Sequence, residues 1–294
     1  MKNFRYLWLF FVLMYRNIKW VLILLFAGGD RVWNIMDFKM YLSAKKAGLC
    51  LDESSIHRQL ILDRIREPES SRIMRSFVSE DDVILELGAN IGYYVLIESK
   101  LLSGKGYIYA VEPDPGNIAS LKRNVELNGV KNIEIFPLAM SDTKGKAKLF
   151  KGAACNLHSL FNPSGSPNAD YVEVETDTPD NFLSDKRPVT FIRMDIEGYE
   201  VVILQNMPKT LNSPHLKKLF VEIHPQRTNI SQMQDLLRLL KNSGFEIKYA
   251  VSRDKFIRWV LKQTLVETMS LDALIADPRL TQAKVGFQLF LLRK

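Results

Sequence analysis

"VILELGANIGYY", Val83 to Tyr94, decides how the chain is read. Five mostly apolar residues run straight into Gly88, Asn90 and Gly92, with the acidic Glu86 near the end of the run. A short apolar run closed by glycine predicts a buried strand, and Ile91 to Leu102 predicts the helix after it. Downstream the alternation repeats. "GYIYAVE" predicts a strand, "PGNIASLKRNVELNG" a helix stopped by Gly129, and "IEIFPLA" a strand. This βαβαβ order implies a parallel sheet with right-handed crossovers.

Residues 145 to 178 break the rhythm. "KAKLF" and "YVEVETDT" alternate like strands around the loop "NPSGSPNAD". The pattern resumes with "VTFIRMDIEG", a helix, and "KKLFVEIHP". A helix over Ser231 to Asn242, the strand "FEIKYAV" and a final strand "VGFQLFLLRK" follow. Residues 253 to 275 predict an amphipathic helix with Phe256, Ile257, Val260, Leu261 and Leu265 on one stripe and Arg253, Lys255, Arg258 and Lys262 as its basic residues. Ahead of the core, residues 37 to 80 predict a strand, "FKMYLS", and two helices. The chain divides into an apolar helix over 1–30, a lead-in over 31–80 and the main domain over 81–294.

The 294 residues are 47% hydrophobic and 25% charged, enough to bury a sizeable core. A net charge of +7 is a mild bias toward anionic partners. Without a run of five or six like charges, a nucleic-acid clamp is not indicated. Cys50 and Cys155 make no disulfide framework, and His57, His158, His215 and His224 do not join them in a zinc spacing. The cysteine count fits a reducing compartment, and no metal is expected.

"FRYLWLFFVLMYRNIKWVLILLF", Phe4 to Phe26, is long enough to span a bilayer, but Arg16, Asn17 and Lys19 interrupt it. A central Arg or Lys costs about 2.5–3.5 kcal/mol on insertion scales, while each Leu, Ile, Phe or Val returns only about 0.3–0.6. Three readings follow. They are an interfacial helix with Arg16 and Lys19 reaching headgroups, a single span, and a helix packed on protein. In the spanning case Arg31, Lys39, Lys45 and Lys46 outnumber Lys2 and Arg5 and put the main domain in the cytoplasm.

The bend after Leu87 carries the chemistry. Ligands of open α/β sheets sit outside the carboxyl ends of strands. Gly88 removes a side chain at that end, and Gly92 opens a helix whose positive pole suits an anionic group. The spacing is G-x-N-x-G rather than the dinucleotide G-x-G-x-x-G. Glu86 would repel a pyrophosphate and welcome an ammonium group. Glu112, ending the next strand in "YAVEPDP", suits a ribose diol. Ammonium, carboxylate and ribose together describe S-adenosylmethionine. The alternative is a Rossmann-like scaffold whose glycines serve helix–sheet packing.

These stretches resemble the class I S-adenosylmethionine-dependent methyltransferases, and more closely the FkbM-type family. The resemblance rests on "DDVILELGANIGYY", "YAVEPDPGNIASLKRNVELN", "LAMSDTKGKAKLF", "FIRMDIEGYEVVIL" and "LFVEIHP". It implies a Rossmann-like seven-strand sheet with the last strand antiparallel and helices on both faces. It also implies methyl transfer to oxygen, often on a sugar or a natural product. Cofactor contacts are expected from Glu86, Gly88, Ala89, Asn90, Gly92, Tyr93, Glu112 and Pro113, with Ala139 and Asp142 where the resemblance puts adenine. Position 86 holds Glu where many relatives carry Asp.

An aliphatic hydroxyl needs a base in reach. Asp195, Glu197 and His224 are the candidates. Asp195 can also orient the cofactor or acceptor, or cap the next helix. His224 is the natural base by its ordinary pKa. Tyr94 beside Tyr93 can shape the methionine end of the pocket or simply pack, and His158 and Tyr171 can belong to an acceptor-side lid. A lipid-linked or cell-envelope glycan is the expected acceptor. The rivals are an N-methyltransferase on nucleic acid or protein, disfavoured because "DIEGYE" replaces an N/D-P-P-Y element, and a catalytically inactive membrane-anchored binding protein.

Overall fold

The computed structural model describes all residues except 1, 28, 49–54, 153–156, 163–165, 167, 253–264 and 283–284. For residues 2–7, 9 and 27 it describes the backbone alone. The chain opens with α1 (Lys2–Ala27), a hairpin of β1 (Asp30–Ile35) and β2 (Phe38–Ser43), and helices α2 (Ala44–Ala47), α3 (Ile56–Asp63) and α4 (Pro68–Phe77). The core then runs β3 (Val83–Leu87), α5 (Tyr93–Leu102), β4 (Tyr107–Val111), α6 (Pro115–Leu127) and β5 (Ile133–Phe136). Next come β6 (Ala139–Met140), β7 (Gly145–Phe150), β8 (Tyr171–Asp177) and α7 (Pro179–Phe182). The remainder comprises β9 (Phe191–Met194), α8 (Glu200–Gln205), α9 (Pro208–Leu211), β10 (Lys218–Ile223), α10 (Ile230–Asn242) and β11 (Phe245–Ser252). It closes with β12 (Leu265–Glu267), short helices at Leu271–Ile275 and Pro278–Thr281, and β13 (Phe287–Arg293).

The central sheet has the order β12-β11-β13-β10-β9-β3-β4-β5. From β10 to β5 every neighbouring pair is parallel, while β13 runs antiparallel to both β10 and β11. This is the expected seven-strand arrangement with one extra strand on its edge. That extra strand, β12, lies where a helix is expected over 253–275. Residues 253–264, with the basic residues and all of the stripe but Leu265, fall outside the described residues. Leu265–Glu267 pairs antiparallel with β11, and Ser270 caps the helix that follows. A small sheet, β6-β8-β7, sits beside the core. "IEIFPLA" divides between β5 and β6 because Pro137 has no N–H to give a ladder.

Alternation along β3 sorts its side chains. Val83, Leu85 and Leu87 join the apolar layer under α8 and α10, whereas Ile84 joins the layer with α3, α4 and α5. Glu86 falls on that second face, in register with Arg193 of the neighbouring β9. Helix α5 begins at Tyr93, two residues later than expected, because Gly92 adopts φ 91° at its N-cap.

Helix α1 turns Arg16 and Asn17 toward the domain, while Lys19 stays exposed. Arg16 makes a two-pronged ion pair with Asp63, at 2.7 and 3.0 Å. Asn17 accepts from Arg58, and the Trp20 indole N–H donates to the Gly48 carbonyl. Arg16 is therefore committed to the domain rather than to headgroups, which corrects the interfacial reading at that residue. Phe10, Phe11, Tyr15, Leu22, Leu25 and Phe26 remain exposed on the outer side. Among the described residues no helix is long and apolar enough to cross a membrane.

Candidate functional site

A cleft of about 590 Å³ opens at the carboxyl ends of β3, β4 and β9. Its floor is the bend. Gly88 has φ 84° and Asn90 φ 51°, so the backbone turns twice through the left-handed region. A Cβ on Gly88 would lie 2.1 Å from the Asp195 carbonyl oxygen, and one on Gly92 would lie 2.7 Å from Leu121 Cδ1. Both glycines thus let protein approach protein. Gly88 seats β9 against the bend, and Gly92 seats α6 against α5.

Glu112 stands at the end of β4, facing the cleft but only 4% exposed. One carboxylate oxygen accepts the Asn90 N–H at 2.8 Å, and the other accepts the Asp114 N–H at 2.9 Å and Asn117 Nδ2 at 3.3 Å. Burial pushes its carboxyl up to about 7, against the pull of these donors. Pro113 and Asn117 continue this wall, and Leu138, Ala139 and Met140 supply an apolar strip beside it. A planar apolar base on the strip and a diol at Glu112 suit this lining.

The other expected cofactor residues are placed differently. Ala89 and Tyr93 line an adjoining cavity rather than the cleft. Gly92 lines neither space, and its missing Cβ makes room for Leu121. Asp142 does not line the cleft; Ser141 Oγ donates to it at 3.0 Å, and the Tyr199 hydroxyl lies 3.5 Å away. Glu86 is 1% exposed and pairs with Arg193 Nη1 at 2.5 Å, so Arg193 already takes the place foreseen for an ammonium group. Burial raises the Glu86 carboxyl to about 7 despite that guanidinium. It raises neighbouring Glu98 well above the carboxylate range, with Glu86 adding to the push.

Asp195, Glu197 and His224 do converge. Asp195 and Glu197 line the cleft, and Asp195 also approaches Arg193 Nη2 at 3.5 Å. Glu197 has φ 56°, held by Arg227 Nη1 at 2.9 Å and by Ser159 Oγ donating to its carbonyl at 3.0 Å. Burial pushes the Glu197 carboxyl up to about 7, against the pull of His224 and Arg227. His224 is enclosed by Glu200 at 3.1 Å, Glu197 at 3.6 Å and Glu222 at 3.7 Å. Burial alone would lower its pKa, but these carboxylates outweigh it and raise the ring to about 10. These carboxylates therefore favour the protonated ring, the form without a lone pair for a substrate proton. Asp195, Glu197 and His224 each offer a ligand atom within 4.8 Å of the others, so they could hold a metal ion, which spacing along the chain does not reveal.

His158, Ser159 and Leu160 line the cleft, and Phe161 packs on Tyr199 with ring centroids 4.9 Å apart. His158 Nδ1 accepts the Gly152 N–H at 3.0 Å, and burial lowers its pKa. Tyr171 is 45% exposed and packs on Phe150, outside the cleft. Arg193 and Arg66, which line the adjoining cavity, escaped the sequence reading. The signal for Arg193 was a cation inside the apolar run "FIRM", which a buried strand can hold only against a partner.

Residues 86–247, more than half of the chain, match the methyltransferase FkbM domain. An uncharacterized protein of Methanocaldococcus jannaschii is 34% identical over 79 residues, which cover 27% of this chain and 29% of that protein. The hexuronic acid methyltransferase AglP of Haloferax volcanii is 25% identical over 169 residues, 56% of this chain and 65% of AglP. The chain thus spans less than two thirds of the length of either relative. Among solved structures, an FkbM methyltransferase of Methylobacillus flagellatus superposes with TM-score 0.42 at 16% identity, covering 74% of this chain and 53% of that one. Aeropyrum pernix fibrillarin with bound S-adenosyl-L-methionine gives TM-score 0.43 at 14% identity, covering 76% and 74%. With its glycine bend, its acidic residue ending β4 and its D-x-E-G-x-E turn all inside the matched span, the chain belongs to the FkbM methyltransferase domain family.

Proposed function

We propose that the protein transfers a methyl group from S-adenosylmethionine to a hydroxyl oxygen, and that the acceptor is a sugar of a lipid-linked glycan. The observation that carries this reading is one cleft holding both Glu112, suited to a ribose, and Glu197, a buried carboxylate with a pKa near neutrality. The residues present fit the cofactor. Glu112 offers two oxygens beside an apolar strip, and Asn90 and Gly88 form the bend beneath. When bound, S-adenosylmethionine supplies a methyl group on a sulfonium, ready for in-line displacement.

The chain's own residues do the rest. Glu197, ionised above about pH 7, takes the acceptor proton. His224 stays positively charged and, with Arg227, holds the Glu197 carboxylate in place. Asp195, which lines both cavities, orients the acceptor. The loop at His158 to Phe161 limits water above the reacting atoms. The sugar acceptor is supported by the name of the AglP relative, a hexuronic acid methyltransferase.

The exposed apolar side of α1, with Arg16 turned inward, supports contact with a membrane surface where such an acceptor resides. Flotation with vesicles tests that part; loss of flotation is expected when Phe11 and Leu25 are replaced by serine. The activity is tested by following S-adenosylhomocysteine release over a panel of glycans. Product that depends on a hydroxylated sugar supports the reading. Turnover on RNA or protein alone overturns the acceptor class.

A further inference from the structure

Beside the cleft lies a second cavity of about 390 Å³, and the two share Gly88, Asn90 and Asp195 as walls. Neither a ribose nor an adenine explains its lining. Arg66 and Arg193, both cationic, line it together with the acidic Glu86 and Asp195. A cavity lined by both signs of charge suits a zwitterion, whose carboxylate needs a cation and whose ammonium needs an anion.

Arg66 comes from the turn between α3 and α4, outside the span that matches the family. Its backbone is fastened to the start of α5. The Tyr93 hydroxyl accepts the Arg66 N–H at 3.2 Å and lies 3.2 Å from the Arg66 carbonyl oxygen. Ser71 Oγ donates to that same carbonyl at 2.6 Å. The next residue, Glu67, sits at φ 46° and accepts the Tyr94 hydroxyl at 2.8 Å. The side chain is braced by Glu67 at 3.2 Å and Gln59 at 3.3 Å, and the residue is 8% exposed. Arg193, by contrast, is clamped between Glu86 and Asp195, with its guanidinium 3.7 Å from the centroid of the Tyr94 ring.

We propose that Arg66 binds the α-carboxylate of the methionyl part of the cofactor, and that Tyr93 is the positioning residue that holds Arg66 over the bend. The ammonium group then faces Asp195. This assignment rests on the proposed function. It makes the lead-in helices part of the cofactor site, and it gives Tyr93 a role that acts through Arg66.

The test compares two ligands on the full chain by calorimetry. S-adenosylhomocysteine and 5′-methylthioadenosine share the adenosine and the thioether, but only the first carries the amino-acid group. Arg66→Met is expected to weaken S-adenosylhomocysteine by about 10–100-fold, the worth of one charged hydrogen-bonded contact. It leaves methylthioadenosine unchanged, which also reports that the cleft is folded. Arg66→Lys recovers part of the loss, and Tyr93→Phe falls between Arg66→Lys and Arg66→Met. Equal weakening of both ligands, or of neither, overturns the assignment. So does a wild-type protein that binds both ligands equally, with the proposed function left standing. A wild-type protein that binds neither overturns the proposed function itself.

Discussion

Replacing Gly88 by alanine tests whether the bend is built for close approach of two strands. The added Cβ would sit 2.1 Å from the Asp195 carbonyl oxygen and 3.1 Å from its carbonyl carbon. Comfortable contact needs about 3.5 Å, so backbone must move by more than an ångström. The clash is with main chain at the end of β9, which no rotamer change relieves. Overpacking of this kind costs about 1–3 kcal/mol. Holding a non-glycine residue at φ 84° adds about 1–2 kcal/mol. The sum is about 2–5 kcal/mol, or a fall in Tm of about 3–8 °C for a chain of this size. Gly129→Ala is the control, because Gly129 has φ 63° and no atom within 4 Å of its added Cβ. It should cost only the backbone part, about 1–2 kcal/mol. Thermal melts followed by circular dichroism compare the two. If Gly88→Ala melts no lower than Gly129→Ala, the close approach of Asp195 is wrong and the bend has been misread.

Two further predictions follow from the charge cluster. Glu197→Gln should slow methyl transfer by about 10²–10⁴-fold while leaving cofactor affinity intact. Because only the ionised carboxylate accepts a proton, the wild-type rate should rise with pH through about 7, and that rise should vanish in the variant. His224 has a folded pKa of about 10 against an ordinary 6.5, so it binds its proton more tightly in the folded state. Its contribution to stability is complete below pH 6.5 and is lost as pH rises toward 10. Urea denaturation across that window should show wild-type stability falling, with a shallower fall in His224→Gln; parallel curves would contradict the imidazolium.

The parallel core is legible in the sequence because β3, β4, β9 and β10 are short, mostly apolar runs next to glycine or proline turns. That is what burial on both faces demands. Glu112 is legible because a carboxylate at such a strand end has few structural uses. Strand β1 is not, since four of its six residues, Asp30, Arg31, Val32 and Asn34, are exposed and give no alternation. It exists because β2 needs a partner. The short β12 is hidden for a similar reason: a three-residue strand has too few side chains for a period of two to differ from a helical stripe. Glu86 was legible as important but not as paired, because the register that sets it against Arg193 is a tertiary fact. Arg66 was invisible for the same reason. Its position depends on two tyrosine hydroxyls at the start of α5, not on any spacing along the chain. His224 was legible as a histidine at a strand end. Its charge state depends on three carboxylates from α8, β10 and the D-x-E-G turn, which only the fold brings together.

The most direct measurement is a calorimetric titration of the full chain with S-adenosylmethionine, beside Glu112→Ala. The account predicts saturable binding to the wild type and a loss of about 10–100-fold in the variant, with both proteins folded by circular dichroism. A folded wild-type protein that takes up no S-adenosylmethionine would contradict the central claim. Equal binding by the variant would remove Glu112 from the cofactor site.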